Sequence, residues 1–396
     1  LVNAQGRALQ ELERNDAVPG RNVYLTLDLE LQAAAEEALG ERRGAVVALD
    51  PRNGHVLALA SMPGYDPNLF SMGIPAPLYR ALQDDIDQPM FNRALRGQYP
   101  PGSTIKPILA LAGLHYGVTT PLDTVWCPGW FSLPGHSHRY RDWKREGHGS
   151  IDLEDSVAQS CDVYYYRLAV TLGIDRMHDF LALFGLGAAT GIDIPGERAG
   201  LLPSRDWKRS AFRRPQDQVW FPGETVITGI GQGYMLATPM QLAQATAILA
   251  NRGQGFRPTL LAAVEEPLSG AREEFAPQPL PPLQLAPAQV EEAIDAMVAV
   301  VHGERGTARA IGADSRWTIA GKTGTAQVVG IAQGEEYDED KVEERHRPHA
   351  LFVAFAPAEN PRIAIAVLVE NGASGSAAAA PIARKLIDNW LGREGD

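Results

Sequence analysis

Three short strings in this chain place hydroxyls and amines where acyl-transfer chemistry needs them. The first is Pro100-Pro101-Gly102-Ser103-Thr104-Ile105-Lys106-Pro107. Gly102 permits a sharp entry into a helix, so Ser103 is expected at a helix start, where free backbone N–H groups favour developing negative charge. Lys106 follows three residues on and shares a face with Ser103. A serine hydroxyl is a poor nucleophile until a base takes its proton, and a lysine desolvated in a pocket has a pKa low enough to do so. Pro107 is tolerated because first-turn N–H groups have no partner within the helix. The second string is Ser160-Cys161-Asp162. Its Ser160 hydroxyl is expected beside Lys106 as a proton relay, although Ser and Asp also serve as plain helix caps. The third is Gly321-Lys322-Thr323-Gly324-Thr325-Ala326-Gln327. Lys322 can bind a substrate carboxylate and help polarise Ser160, and the Thr323 and Thr325 hydroxyls can bind the same carboxylate. Gly324 is expected to clear a strand edge where substrate would lie. The N–H groups of Thr325 and Ser103 would form an oxyanion hole. Ser-x-x-Lys alone arises about once by chance in a chain of this size. The weight lies in the order of all three strings.

A second constellation surrounds the only two cysteines. Cys127 and Cys161 bracket Asp142 and His148, at successive separations of 15, 6 and 13 residues. Thiolate, imidazole and carboxylate are zinc ligands, and four of them close a tetrahedral structural site. The separations are too long for a finger motif. A metal site, a disulfide and two free thiols all stay open, and His136 or His138 can replace a ligand. Two cysteines do exclude a disulfide-stapled scaffold.

The elements that must position these groups are readable from pattern. Residues 29–39 are alanine-rich and helical. Gly44-Ala45-Val46-Val47-Ala48-Leu49 and His55-Val56-Leu57-Ala58-Leu59-Ala60 flank an Asn53-Gly54 turn and read as a hairpin. A second strand set lies near the C-terminus: Trp317-Thr318-Ile319-Ala320 ahead of the third string, then residues 351–355 and 363–369. Residues 377–390 read as a closing helix. Between the strand sets the pattern predicts helices over residues 105–115, 156–172, 239–250 and 289–302. This ordering implies an α+β fold, with an antiparallel sheet built from both termini and a mainly helical subdomain. The proline-rich stretch 265–287 and the charged stretch 333–349 read as surface loops. Residues 1–20 read as a linker or the remnant of an upstream region, and residues 21–396 as one domain.

Composition bounds the function. Of 396 residues 45% are hydrophobic and 21% charged, enough for a large core and against wholesale disorder. The net charge of −12 and the absence of any Lys/Arg-dense run argue against a nucleic-acid partner. No stretch approaches the roughly 20 apolar residues needed to span a bilayer. The chain begins at Leu1 and shows no signal peptide, so it reads as a fragment or processed form.

Taken together, Ser103-x-x-Lys106, Ser160-x-Asp162 and Lys322-Thr323-Gly324 resemble the penicillin-recognising serine transpeptidases. Asn is the commoner residue where Asp162 stands. Further likeness lies in Arg21 to Asp28, in the Gly44–Ala60 hairpin, in the Met62–Asn68 string MPGYDPN, and in Gly231-Gln232-Gly233 ahead of Thr238-Pro239-Met240-Gln241. The string from Gly321 to Gln333 is similar to the elongation-specific penicillin-binding protein 2 group of the class B enzymes. The resemblance covers nearly all the chain from Arg21 onward. It implies the penicillin-binding protein/serine β-lactamase-like transpeptidase fold and a peptidoglycan D,D-transpeptidase that cross-links stem peptides through a Ser103 acyl-enzyme and is acylated by β-lactams. A D,D-carboxypeptidase, or a serine β-lactamase or sensor, would share that acyl-enzyme. A hydrolase also needs a deacylating base, for which Glu197 and Glu224 are the acids in the right interval. The resemblance further implies a structural zinc like that of some members of the group, on Cys127, Asp142, His148 and Cys161. It implies a periplasmic domain anchored in the inner membrane by a helix outside this chain. Expected partners are a membrane glycan polymerase and shape-determining scaffold proteins.

Overall fold

The structure, a computed structural model, describes residues 3–10, 13, 17–328 and 342–394. The chain divides into two compact units. The smaller comprises residues 1–26 and 261–276, and the larger residues 27–260 and 277–396.

In the smaller unit, strand Asn22–Leu25 pairs antiparallel with Leu261–Glu265, which pairs in turn with Arg272–Glu274. The Tyr24 hydroxyl donates to Glu265 at 3.1 Å, and Arg272 lies 4.1 Å over the Tyr24 ring. The stretch 265–287, expected to be a loop throughout, therefore carries a short strand at Arg272–Glu274. Residues 333–341 of the other expected loop lie outside the described residues, and its end is already strand from His349.

The larger unit is organised by a five-stranded antiparallel sheet. Its order is Ala320–Ala326, His349–Ala356, Ile363–Val369, Gly44–Leu49 and Val56–Met62, so sequence from both ends of the chain meets in it. Strands Gly44–Leu49 and Ile363–Val369 are buried at every residue. Continuous apolar runs of this kind need cover on both faces. Helices Leu29–Leu39 and Ala380–Glu394 pack on each other and on the sheet, and helices Pro239–Ala250 and Pro287–His302 pack on it as well. Asp28 caps the first of these helices through Leu31 N–H. Thr238 and Gln241 form a capping box at the start of Pro239–Ala250.

Two expectations fail in instructive ways. The predicted helix over 156–172 is broken into Leu153–Ala158 and Asp162–Leu183. Ser160 takes φ +58°, its N–H bonds Val157 O at 3.2 Å, and Cys161 N–H bonds Ser156 O at 3.0 Å. That is a Schellman stop, with serine at the left-handed position glycine normally fills. The third string, expected just after a strand, is itself the edge strand Ala320–Ala326. Trp317 to Ile319 lead into it. The lead-in is apolar enough to look like strand, while the glycines and lysine of the string itself hide the strand signal.

Candidate active site and metal cluster

The nucleophile turn is a single 3-10 turn, Gly102–Ile105, running into helix Lys106–His115. The Lys106 N–H closes the turn on Ser103 O, an i to i+3 bond that sets Lys106 on the Ser103 face. Gly102 at φ +54° bends the chain into this turn, and its N–H donates to Gly231 O at 2.9 Å. Glycine is required at Gly231, where a Cβ would stand 2.2 Å from Gly102 O. On its other side the turn rests on the third string, because a Cβ at Gly102 would lie 2.9 Å from Thr325 O. Gln232 Nε2 donates to the same carbonyl at 3.2 Å.

Lys106 is fully buried. Its Nζ donates to Ser160 O at 2.8 Å, to Ser160 Oγ at 3.3 Å and to Asp162 Oδ1 at 2.7 Å, and it sits 5.1 Å over the Tyr165 ring. The left-handed Ser160 aims both its carbonyl and its hydroxyl at this one amine. Among the described residues the Ser103 hydroxyl makes no hydrogen bond to Lys106. Catalytic hydrogen bonds are often long until substrate is bound. Burial lifts the Asp162 carboxyl above the usual carboxylate range, while the Lys106 ammonium pulls it down.

Lys322 is also fully buried. It donates to Thr323 O at 3.0 Å and approaches Thr323 Oγ1 at 3.5 Å, with no hydrogen bond to Ser160. Burial pushes its amine well below the ordinary lysine value, the Lys106 charge pushes it further, and Asp162 opposes both. Lys106, Ser160 and Asp162 thus bond one another, Lys322 feels the charges of Lys106 and Asp162, and the backbone of the Ser103 turn packs on Thr325 of the strand. Gly324 has a different reason for being glycine than the one expected. A Cβ there would meet Thr104 Cγ2 at 2.7 Å and Pro101 O at 3.2 Å, so the missing side chain lets the Ser103 turn seat on the strand. Thr323 is buried and Thr325 is exposed.

Cys127, Asp142, His148 and Cys161 do come together, their ligand atoms all within 4.8 Å of one another. Both cysteines are free. Cys127 Sγ lies 3.5 Å from Asp142 Oδ2 and 3.5 Å from His148 Nδ1, and Cys161 Sγ lies 3.4 Å from Asp142 Oδ2. Ligands on a tetrahedral zinc stand about 3.3–3.8 Å apart, so these three contacts match its spacing and the donor set fits that ion in chemistry. Burial pushes both thiols up and the His148 imidazole down. His136 and His138 are exposed and outside the cluster. Asp142 has a second task that its sequence position conceals. Its Oδ2 accepts from Asp162 N–H at 2.8 Å and Val163 N–H at 3.0 Å, capping helix Asp162–Leu183 from a distant loop.

Residues the sequence did not single out also act here. Trp143 donates its backbone N–H to Asp162 Oδ2 at 3.2 Å and its indole N–H to Gln159 O and Ser160 O at 3.1 and 3.2 Å. Thr307 Oγ1 lies 2.9 Å from Thr323 Oγ1. Neither stands at a telling distance along the chain from the residue it serves. The two acids considered as deacylating bases are committed elsewhere. Glu197 accepts from Thr190 N, Thr190 Oγ1 and Gly191 N. Glu224 pairs with Lys208 and accepts from Phe221 N.

The family described as penicillin binding protein transpeptidase domain matches residues 44–388. The chain is 46% identical over 394 residues to the peptidoglycan D,D-transpeptidase MrdA of Acinetobacter baumannii, covering 98% of this chain and 57% of that protein. It therefore spans less than two thirds of that relative's length. Among solved structures, Pseudomonas aeruginosa PBP2 in complex with WCK 5153 is 51% identical with a TM-score of 0.85, over 96% of this chain and 78% of that one. PBP2 in complex with MreC from Helicobacter pylori is 33% identical with a TM-score of 0.82, over 100% of this chain and 68% of that one.

Proposed function

Because this chain belongs to the penicillin-binding protein transpeptidase family, we propose that it is the catalytic domain of an elongation-class peptidoglycan D,D-transpeptidase with Ser103 as nucleophile. The observation that carries this reading is the enclosure of Lys106 by Ser160 and Asp162 directly beneath a Ser103 turn seated on the Lys322–Thr325 strand edge.

In this reading the C-terminal carboxylate of a stem peptide docks on Lys322, Thr323 and Thr325. Ser103 Oγ attacks the carbonyl carbon between two D-Ala residues as Lys106, in its neutral amine form, takes its proton. The N–H groups of Ser103 and Thr325 hold the oxyanion. The C–N bond breaks, and the departing D-Ala amine receives a proton through Ser160. The amine of a second stem peptide then attacks the Ser103 ester. It yields its proton to Lys106, forms the cross-link and releases the serine hydroxyl. A β-lactam enters as a donor whose amide opens but whose nitrogen stays tethered, so its adduct persists. With Glu197 and Glu224 held in local turns and caps, neither is offered as a base for rapid hydrolysis.

Zinc held by Cys127, Asp142, His148 and Cys161 would serve structure only, tying the 127–148 loop to the helix that starts at Asp162. No cofactor is needed for acyl transfer. We read residues 21–396 as the transpeptidase domain and residues 1–20 as a linker or the remnant of an upstream region. The domain is placed in the periplasm, on a membrane anchor outside this chain. No helix among the described residues is long and apolar enough to cross a membrane. A membrane glycan polymerase and a scaffold like the MreC of the Helicobacter pylori complex are its proposed partners.

Two measurements test these readings. Ser103→Ala should abolish covalent labelling by a fluorescent penicillin, and normal labelling of that variant would remove Ser103 from the role. Elemental analysis of protein purified without added metal should find zinc near one equivalent. Less than about a tenth of an equivalent would count against the site.

A further inference from the structure

Thr307 sits in the loop between helices Pro287–His302 and Arg309–Gly312 and is half-buried. Its backbone N–H donates to Ala158 O at 3.1 Å, two residues before Ser160. Its hydroxyl oxygen lies 2.9 Å from that of Thr323. One residue therefore bridges the helix that ends at the Ser160 turn and the strand that carries Lys322.

The direction of the hydroxyl pair matters. A hydroxyl has one proton and two acceptor sites. Lys322 Nζ, a donor, approaches Thr323 Oγ1 from one side at 3.5 Å. If the Thr307 hydroxyl donates from another, both acceptor sites of Thr323 are filled by protein. The Thr323 proton is then left for a third partner, away from both donors. An anion arriving there meets a donor already aimed at it, and charge-assisted hydrogen bonds are the strong ones.

We propose that Thr307 is a positioning residue for the reaction: it donates to Thr323 and so orients the Thr323 hydroxyl towards the C-terminal carboxylate of the donor stem peptide, or the matching carboxylate of a β-lactam. This rests on the reading above that the Lys322–Thr325 edge receives that carboxylate. The loop does not depend on the Thr307 side chain for its place. Arg305 pairs with Asp155, Ala308 N–H bonds Val300 O at 2.9 Å, and the Thr307 N–H survives any substitution but proline.

The test uses the full chain as Thr307→Val, Thr307→Ala and Thr307→Ser. Acylation kinetics with benzylpenicillin are resolved into the dissociation constant of the non-covalent complex and the limiting acylation rate. The same is done with its methyl ester, which lacks the carboxylate charge. The Val and Ala variants should weaken non-covalent binding of the acid about tenfold, the size expected for one hydrogen bond to a charged group. They should leave its limiting rate within about twofold, since the contact exists before and during the reaction. The Ser variant should restore binding, and none of the three should alter the ester. Wild-type binding of the acid by the Val and Ala variants would overturn the proposal. So would an equal loss with acid and ester, which would mark a merely structural role. Failure of the wild-type chain to form any adduct would overturn the underlying acyl-enzyme reading, and this inference with it.

Discussion

Replacing Gly231 with alanine should slow acylation of Ser103 while leaving the chain folded. Gly231 has φ +69°, and a Cβ there would stand 2.2 Å from Gly102 O and 2.8 Å from Gly102 N, where ordinary contact begins at 3.4 Å. The neighbour is backbone, so no side chain can swing away. Gly102 cannot retreat freely either, because Thr325 backbone lies against its other side. The overlap is relieved only if the turn carrying Ser103 moves by about 1 Å. A misplacement of that size costs on the order of 100-fold in rate, or about 2.7 kcal/mol of barrier. The left-handed backbone adds about 1–2 kcal/mol of lost stability. Gly117→Ala is the matched control: its φ is +63°, but nothing lies within 4 Å of the added methyl. Both variants should lose thermal stability, Gly231→Ala more because it carries the overlap as well, and only Gly231→Ala should acylate slowly. Time courses of fluorescent-penicillin labelling in excess reagent, with thermal melts alongside, read both quantities. A folded Gly231→Ala protein that acylates within about threefold of wild type would refute the claim that this contact sets the Ser103 position.

Other outcomes follow from the same geometry. Ser160→Gly should be more stable than Ser160→Ala by about 1 kcal/mol in denaturant titrations, because only glycine accepts the left-handed Schellman position without a Cβ penalty, yet both should lose acylation. Lys322→Met should stabilise the fold at neutral pH by about 1–2 kcal/mol, since it removes a buried amine, while abolishing acylation by carboxylate-bearing β-lactams. For pH, the folded Lys322 pKa lies well below its usual 10.5. Between those two values the unfolded chain binds the extra proton, so this group's contribution to stability rises with pH across that window. In the folded protein its positive charge, and with it penicillin affinity, is lost as pH rises through the lower, folded value. Lys322→Met should flatten the stability trend seen in melts above neutral pH. Arg93, buried and bonded to Glu370 at 3.0 Å, should cost about 1.5 kcal/mol as Arg93→Met in chemical denaturation, because Glu370 loses one charged donor but keeps Tyr99 at 2.6 Å and Arg43 at 3.6 Å.

How far the sequence could be read depended on whether a signal was local. Helices Leu29–Leu39 and Pro239–Ala250 and strands Gly44–Leu49 and Ile363–Val369 stand at the positions their patterns predict. Each is set by its own periodicity and, for the helices, by a cap within four residues. The three strings were visible because Ser103–Lys106, Ser160–Asp162 and Lys322–Thr325 are each contiguous. What stayed hidden was tertiary. The stop at Ser160 is a left-handed serine where a glycine would have announced it. The capping of Asp162 N–H by Asp142 spans 20 residues, and the reason for Gly324 is the methyl of Thr104 in another element. Thr307 and Trp143 reach the site only because the sheet and the 127–148 loop fold back upon it. Residues 329–333, part of the string that resembled the elongation group, lie outside the described residues.

In the proposed reaction Ser103 Oγ is the atom that takes up the acyl group. Peptide mapping by mass spectrometry after incubation with benzylpenicillin asks this directly. The predicted result is one adduct carrying the full mass of the drug, located on the peptide containing Ser103, absent from Ser103→Ala and persisting long after free drug is removed. An adduct on any other residue, or none on a folded and saturated protein, would contradict it.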